Sequence, residues 1–288
     1  MLDKIIAFFM SIISLFMSLS GISSGKIIVF ENVSYGLNGN NILDMYIPEG
    51  AEGDIGLVLM IHGGSWTAGD KAEFSKHAKM VAANYNCATA SINYRFLSEH
   101  VTMNDLLDDI TAATVKIKEI GEENGINIEK MMLTGASAGG HLSLLYAYSR
   151  AEEAIITPVA VTNLCGPSDF TDINFLNSDI GKSRICVLFS WASGTVINEE
   201  NIEDNPALLG VSPVNYAHTA VPTITAHGKK DLSVPFSNAQ TLDEALENAG
   251  VRHDFITYEK SGHGLSDDII SKIKTYELFG QYINEYLK

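Results

Sequence analysis

Short apolar runs separated by longer amphipathic stretches set the rhythm of this chain. Gly56–Ile61 reads GLVLMI, Ala88–Tyr94 reads ATASINY and Lys130–Thr134 reads KMMLT, and Pro158–Leu164, Pro222–Ala226 and Asp254–Tyr258 repeat the theme. Such runs are what strands covered on both faces show, because neither face meets water. Between them, the stretch Asp105–Ile120 places Leu106, Ile110, Ala113 and Ile117 on one helical face, with Thr102 and Asp105 as a capping-box variant at its start. Leu242–Ala249 and Asp267–Leu287 are further helical candidates. Lys26–Val33 and Leu43–Ile47 flank the turn formers Gly36-Leu37-Asn38-Gly39-Asn40 and predict an opening hairpin. Strands alternating with helices in this way predict an α/β fold, a mostly parallel central sheet with helices on both faces, in one domain over residues 25–288.

Two segments break the rhythm. Residues 166–221 form a long stretch between two predicted strands and carry Phe170, Phe175, Phe189 and Trp191, too apolar for a plain solvated loop. This stretch reads as a cap or lid insertion, an ordinary helical insertion being the alternative. At the N-terminus, Met1–Ser24 holds one lysine, an apolar run from Ile5 to Leu19 and small residues at Ser18 and Ser20. The run is shorter than the ~20 residues that span a bilayer, so it predicts a cleaved secretory signal and a secreted or extracytoplasmic protein. An uncleaved segment anchoring the protein to a membrane, or a buried N-terminal helix, is the alternative.

Charge narrows the partners. Nineteen Lys and Arg against 35 Asp and Glu give a net charge of −16. Such a surface repels phosphate backbones and anionic headgroups, which argues against nucleic acid and against stable membrane association once the signal is gone. The three cysteines, Cys87, Cys165 and Cys186, cannot form a disulfide scaffold, and no Cys or His spacing suggests a metal.

The chemistry concentrates at predicted strand ends. Gly135-Ala136-Ser137-Ala138-Gly139 follows KMMLT and opens a helical run. A serine on so tight a strand-to-helix turn projects its hydroxyl clear of the sheet. Taken alone, GxSxG also occurs at ordinary turns. His62-Gly63-Gly64-Ser65-Trp66 follows GLVLMI, and its N–H groups, with that of Ala138, suit an oxyanion hole; His62 itself reads as a prop for that loop. Among the eight histidines, His263 alone lies late in the chain in a glycine-flanked loop, Ser261-Gly262-His263-Gly264. Asp231, just beyond PTITA, is the carboxylate expected to orient it; Asp169 is the runner-up, better suited to the pocket or cap, and Asp267 and Asp268 read as a helix start. The order Ser137, Asp231, His263 is that of α/β-hydrolases. Trp66, Phe96, Phe175 and Trp191 are the aromatic candidates for a pocket wall, with core packing the equal alternative because the sequence does not say which ring faces the site.

HGGSW, INYR at 92–95, GASAGGH, SPVNY at 212–216, HGKKD and SGHG together resemble the α/β-hydrolase superfamily. The resemblance is to the esterase/lipase branch that includes bacterial acetyl-xylan and feruloyl esterases and arylformamidases, and it covers the chain from Lys26 onward. It implies an α/β-hydrolase fold and a triad of Ser137, Asp231 and His263. It further implies oxyanion donors at Gly63, Gly64 and Ala138; Trp66, Asp169 and Trp191 are pocket candidates on the residues themselves, not on the resemblance. The implied activity is serine carboxylesterase, acting on short-chain acyl esters of small molecules or carbohydrates without metal or cofactor. An arylformamidase or amidase with the same triad, or a non-catalytic binding protein on this fold, is the alternative. Two departures are visible: FLSEHVTMND follows INYR where a proline-rich Leu-Ala-Pro-Glu is frequent, and Ala136 stands in the elbow where an acidic residue is common.

Overall fold

The computed structural model describes residues 25–288, so the predicted signal at Met1–Ser24 lies outside the described residues. Eight strands form one sheet: β1 (Ile27–Ser34), β2 (Ile42–Pro48), β3 (Leu57–Ile61), β4 (Ala88–Ile92), β5 (Lys130–Ala136), β6 (Thr157–Leu164), β7 (Thr223–Gly228) and β8 (His253–Tyr258). Their spatial order is β1-β2-β4-β3-β5-β6-β7-β8. Only β2 runs against its neighbours; β3 to β8 pair in parallel. The predicted hairpin and all six later strands are present, and the sheet is mostly parallel, as the sequence pattern implied.

Side-chain alternation explains why those strands read as unbroken apolar runs. In β3, Leu57, Leu59 and Ile61 enter the core on one face, while Val58 and Met60 enter a second core on the other. The first face is covered by α2 (Met103–Glu123), α3 (Ala138–Ser149) and α5 (Phe236–Asn248); the second by α1 (Ser75–Tyr85) and α6 (Ile269–Tyr286). The start of α2 is fixed as predicted: the Asp105 carboxylate accepts from the Thr102 N–H at 2.8 Å and from its hydroxyl at 2.9 Å. Helix α3 is buried along nearly its whole length, and so is apolar all round rather than striped.

Residues 166–221 fold into short helical turns and one longer helix, α4 (Lys182–Ser193). Phe170 and Phe189 stack at 4.4 Å, and Phe175 meets Phe189 edge-on at 5.2 Å, so the segment joins the first core. Cys87, Cys165 and Cys186 are all unpaired. Among the described residues no helix is long and apolar enough to cross a membrane.

Candidate active site

Every chemistry-bearing residue singled out above leaves the sheet at the carboxyl ends of parallel strands, where α/β sheets gather their ligands. Ser137 sits at the junction of β5 and α3 with φ 55° and ψ −123°. That conformation is costly for a residue with a Cβ, and close packing enforces it. Gly139 shows how close: a Cβ added there would lie 1.9 Å from the Ile61 carbonyl oxygen, so only glycine lets α3 start so near β3.

Two loops meet the serine. Beyond β7 the chain turns at once, and Asp231 Oδ1 accepts the N–H groups of Ser233 and Val234, both at 2.9 Å. Beyond β8, the Ser261 hydroxyl donates to Asp268 Oδ2 at 2.7 Å and accepts from the Asp267 N–H at 2.9 Å. The Lys260 N–H adds a second bond to Asp268 at 2.9 Å, and Lys230 N–H to Ser261 O at 3.0 Å ties the two loops together. The outcome is a continuous chain: Ser137 Oγ–H donates to His263 Nε2 at 2.9 Å, and His263 Nδ1–H donates to Asp231 Oδ2 at 2.7 Å. Burial alone would push the Asp231 carboxyl up, but the hydrogen bonds from His227 and His263 outweigh it and hold the group well below the ordinary carboxylate range. It is therefore an anion that fixes the imidazole tautomer and leaves Nε2 free to accept the serine proton.

The loop after β3 closes against the elbow. A Cβ on Gly63 would come 2.9 Å from Ala136 O and 3.4 Å from Ser137 Cβ. Gly64 has φ 108°, and its carbonyl accepts from Thr67 and Ala68. Ala138 is the first residue of α3, where an N–H lacks an intrahelical acceptor. His62 is fully buried, donates from Nδ1 to Gly63 O at 2.7 Å and stacks on Tyr94 at 4.3 Å. Burial depresses its pKa to about 4, so it is a neutral prop for the loop.

Ser137, His263, Gly63 and Gly64 line a cleft of about 310 Å³ whose walls include Trp66, Phe175, Ile180, Ile185, Phe189 and Val234. Glu73, Asp179 and Arg184 add charged groups to it. Phe175 and Trp66 thus face the site, whereas Phe96 packs edge-on to His62. Two other pocket expectations need correcting. Asp169 does not line the cleft; its Oδ1 accepts from the Thr171 N–H at 2.9 Å and hydroxyl at 2.6 Å, closing a local turn. Nor does Trp191, which lies two residues past Phe189 and so about 200° round α4, packed on the core instead. One residue passed over by the sequence reading stands behind the site. His227, four positions before Asp231, is buried with Nε2 3.3 Å from Asp231 Oδ2 and 3.1 Å from Val234 O. The HGKKD spacing was its only signal. Cys165, His227 and Asp231 bring one metal-ligating atom each within 4.8 Å. The Asp231 oxygens are already engaged by Ser233, Val234 and His263, and burial raises the Cys165 thiol, so the cluster as built serves the triad.

Comparison with known proteins agrees with this architecture. Esterase LipQ of Mycobacterium tuberculosis is 28% identical over 235 residues, covering 76% of this chain and 53% of LipQ. The isoprenylcysteine alpha-carbonyl methylesterase ICME of Arabidopsis thaliana is 25% identical over 249 residues, covering 82% of this chain and 56% of ICME. The chain thus spans about half the length of these curated relatives. A solved structure of a truncated carbohydrate esterase from gut microbiota shares the fold, with a TM-score of 0.72 at 21% identity over 92% of this chain and 99% of that one. The BD-FAE family model matches residues 43–246, which take in the loop after β3, Ser137 and Asp231, with His263 beyond the matched end. On that match, which spans most of the sheet, the chain belongs to the BD-FAE family.

Proposed function

We propose that this chain is a serine carboxylesterase that hydrolyses short-chain acyl esters, acetyl esters among them, through an acyl-enzyme. The observation that carries the reading is the unbroken Ser137–His263–Asp231 chain, at 2.9 and 2.7 Å, opening into a cleft. In this mechanism Ser137 Oγ attacks the ester carbonyl as His263 Nε2 takes its proton, and Asp231 stabilises the resulting imidazolium. The N–H groups of Gly63, Gly64 and Ala138 take the charge that develops on the carbonyl oxygen. His263 then protonates the leaving alcohol, and afterwards accepts a proton from water as that water attacks the acyl-serine. A cleft of about 310 Å³ is at the small end for ligand sites, which supports a short acyl group. The wall supplied by residues 166–221 serves as the cap over that group, and export through Met1–Ser24 is part of the same proposal.

Turnover of a chain-length series of p-nitrophenyl esters, run beside acetylated xylan, tests it. The reading expects the acetyl ester to be preferred over long chains, with Ser137→Ala at background. Retained activity in that variant sinks the serine mechanism, and faster turnover of N-formylkynurenine than of any acetyl ester moves the chain to the formamidases.

A further inference from the structure

Trp66 and His141 come from two separate motifs, HGGSW and GASAGGH, and the fold buries them together. The Trp66 indole N–H donates to His141 Nδ1 at 3.2 Å, and the rings meet edge-to-face at 5.3 Å and 87°. The other nitrogen, Nε2–H, donates to the Val211 carbonyl at 2.8 Å. Both ring nitrogens of a completely buried imidazole are thereby satisfied, and the tautomer is fixed: Nδ1 accepts and Nε2 donates. Three segments converge on that one ring. Trp66 belongs to the loop that carries Gly63 and Gly64; His141 lies one turn past Ser137 on α3, its N–H bonded to the Ser137 carbonyl at 3.0 Å; Val211 belongs to the 166–221 segment.

The loop needs such a hold. Ser65 and Trp66 are successive non-glycine residues in the left-handed region, with φ 51° and 58°. Strained backbone persists only where its surroundings over-determine it. The Leu97 N–H to Trp66 O bond at 2.8 Å fixes the main chain; the bond to His141 fixes the side chain and, through α3, the distance between loop and nucleophile.

We infer that His141 is a positioning residue for the oxyanion hole, keyed to the Trp66 indole through Nδ1 and to the cap segment through Nε2. The inference rests on the esterase reading for its kinetic consequence. It predicts that the two nitrogens do different work. An asparagine at 141 presents an oxygen near Nδ1 and keeps the Trp66 bond, whereas a glutamine presents a donor near Nε2 and keeps the Val211 bond alone.

The experiment compares His141→Asn, His141→Gln and Trp66→Phe. Displacing one oxyanion donor costs up to roughly 10²–10³ in rate, and a partial displacement correspondingly less. His141→Gln and Trp66→Phe should lower kcat for p-nitrophenyl acetate by about 10- to 100-fold with KM within about threefold, and weaken a trifluoromethyl ketone, whose tetrahedral adduct needs the same donors, in parallel. His141→Asn should stay within about threefold of wild type in kcat. Equal losses in the two His141 variants, a loss confined to KM, or unchanged ketone affinity would overturn the inference. A readout without turnover separates it from the esterase reading. Hydrogen exchange of the Trp66 indole N–H, assigned with Trp191→Phe, should be slow in wild type and His141→Asn and fast in His141→Gln. Fast exchange in wild type overturns it whatever the enzyme's activity. If neither His141 variant folds, Trp66→Phe decides, and wild-type kcat in it refutes the assignment.

Discussion

Replacing Asp231 by Asn changes one atom's chemistry and almost none of its shape, yet the surroundings force a large effect. Asp231 Oδ1 receives two buried backbone N–H groups, from Ser233 and Val234 at 2.9 Å each, and Oδ2 receives His263 Nδ1–H at 2.7 Å, with His227 Nε2, which also reaches Val234 O, at 3.3 Å. An asparagine has one acceptor and one donor to distribute over those places. Turning its NH₂ toward Ser233 and Val234 would leave both N–H groups without an acceptor, at about 1–3 kcal/mol each. Turning its oxygen there keeps both bonds and aims the NH₂ at His263. Nδ1 must then accept, so the ring proton moves to Nε2, 2.9 Å from Ser137 Oγ. The serine now faces a donor and has no base. A wrong tautomer of this kind costs on the order of 10⁴ in kcat, or about 5.5 kcal/mol of transition-state stabilisation. Steady-state turnover of p-nitrophenyl acetate beside thermal melting followed by circular dichroism measures both sides. The expected variant melts close to wild type and is nearly inactive. A folded Asp231→Asn protein whose kcat is within tenfold of wild type would refute the tautomer argument and the role of Asp231 with it.

Other perturbations test other joints. Gly139→Ala places a methyl 1.9 Å from the Ile61 carbonyl, which no side-chain movement relieves; little soluble protein, or a loss of several kcal/mol in urea titration, is expected. Asp268→Ala removes the acceptor of Ser261 Oγ and Lys260 N–H, so the His263 loop should loosen, lowering kcat about tenfold while Tm falls by only a few degrees. Asp44→Ala strips the buried Lys71 ammonium of its 2.7 Å partner, both side chains being only 6% exposed, and should cost about 3–5 kcal/mol in denaturant stability. Acid should destabilise the fold: burial holds His62 and His141 down near 4, so between pH 6.5 and 4 the unfolded chain binds protons that the native one refuses. Stability then falls with falling pH by up to about 1.4 kcal/mol per unit for each, and Asp231, held low, adds a loss below its ordinary range near 3.9. Melting temperatures across that range check the slope, which His141→Gln should reduce by one proton's worth.

The sheet was legible because a strand buried on both faces has no polar positions to blur it; GLVLMI is β3 almost to the residue. Ends were less so. β5 runs on to Ala136 past the expected Thr134 because Gly135 and Ala136 pair with Asn163 and Leu164, a partner the local sequence does not display. Helix α5 begins at Phe236 rather than near Leu242, its first turn held by the buried Asn238 side chain, which accepts from the Ser168 and Asp169 N–H groups and donates to Asp172, partners that the local sequence does not announce. The triad was readable because its order and strand-end positions are set by the chain itself. Pocket walls depend on which way a side chain faces round a helix of the 166–221 segment, and the pattern there gave no phase. Hence Phe189 lines the cleft and Trp191, two residues on, does not. His227 was passed over for a related reason: a histidine at a strand end is also what ordinary packing produces.

Strain marks the site more economically than any motif does. Among the described residues seven non-glycine positions have positive φ, and five of them are Ser65, Trp66, Ser137, Cys165 and Leu265. They follow the carboxyl ends of four strands: β3 for the first two, then β5, β6 and β8. Left-handed backbone with a Cβ costs of order 1–3 kcal/mol per residue, a large outlay for a domain whose whole stability is about 5–15 kcal/mol. Helix caps or hairpin turns would scatter such residues over the surface. Concentrated at one edge of the sheet, they are what aims Ser137 at His263 and brings Gly63 beside it, so relieving the strain should gain stability and lose rate. Ser65→Gly is the cleanest case, since it removes a Cβ from a left-handed residue beside the oxyanion loop without touching the triad. Its Tm should rise or hold while kcat falls severalfold, because the loop then samples other conformations. A Ser65→Gly enzyme as fast as wild type would mean that the strained backbone there plays no part in holding the donors.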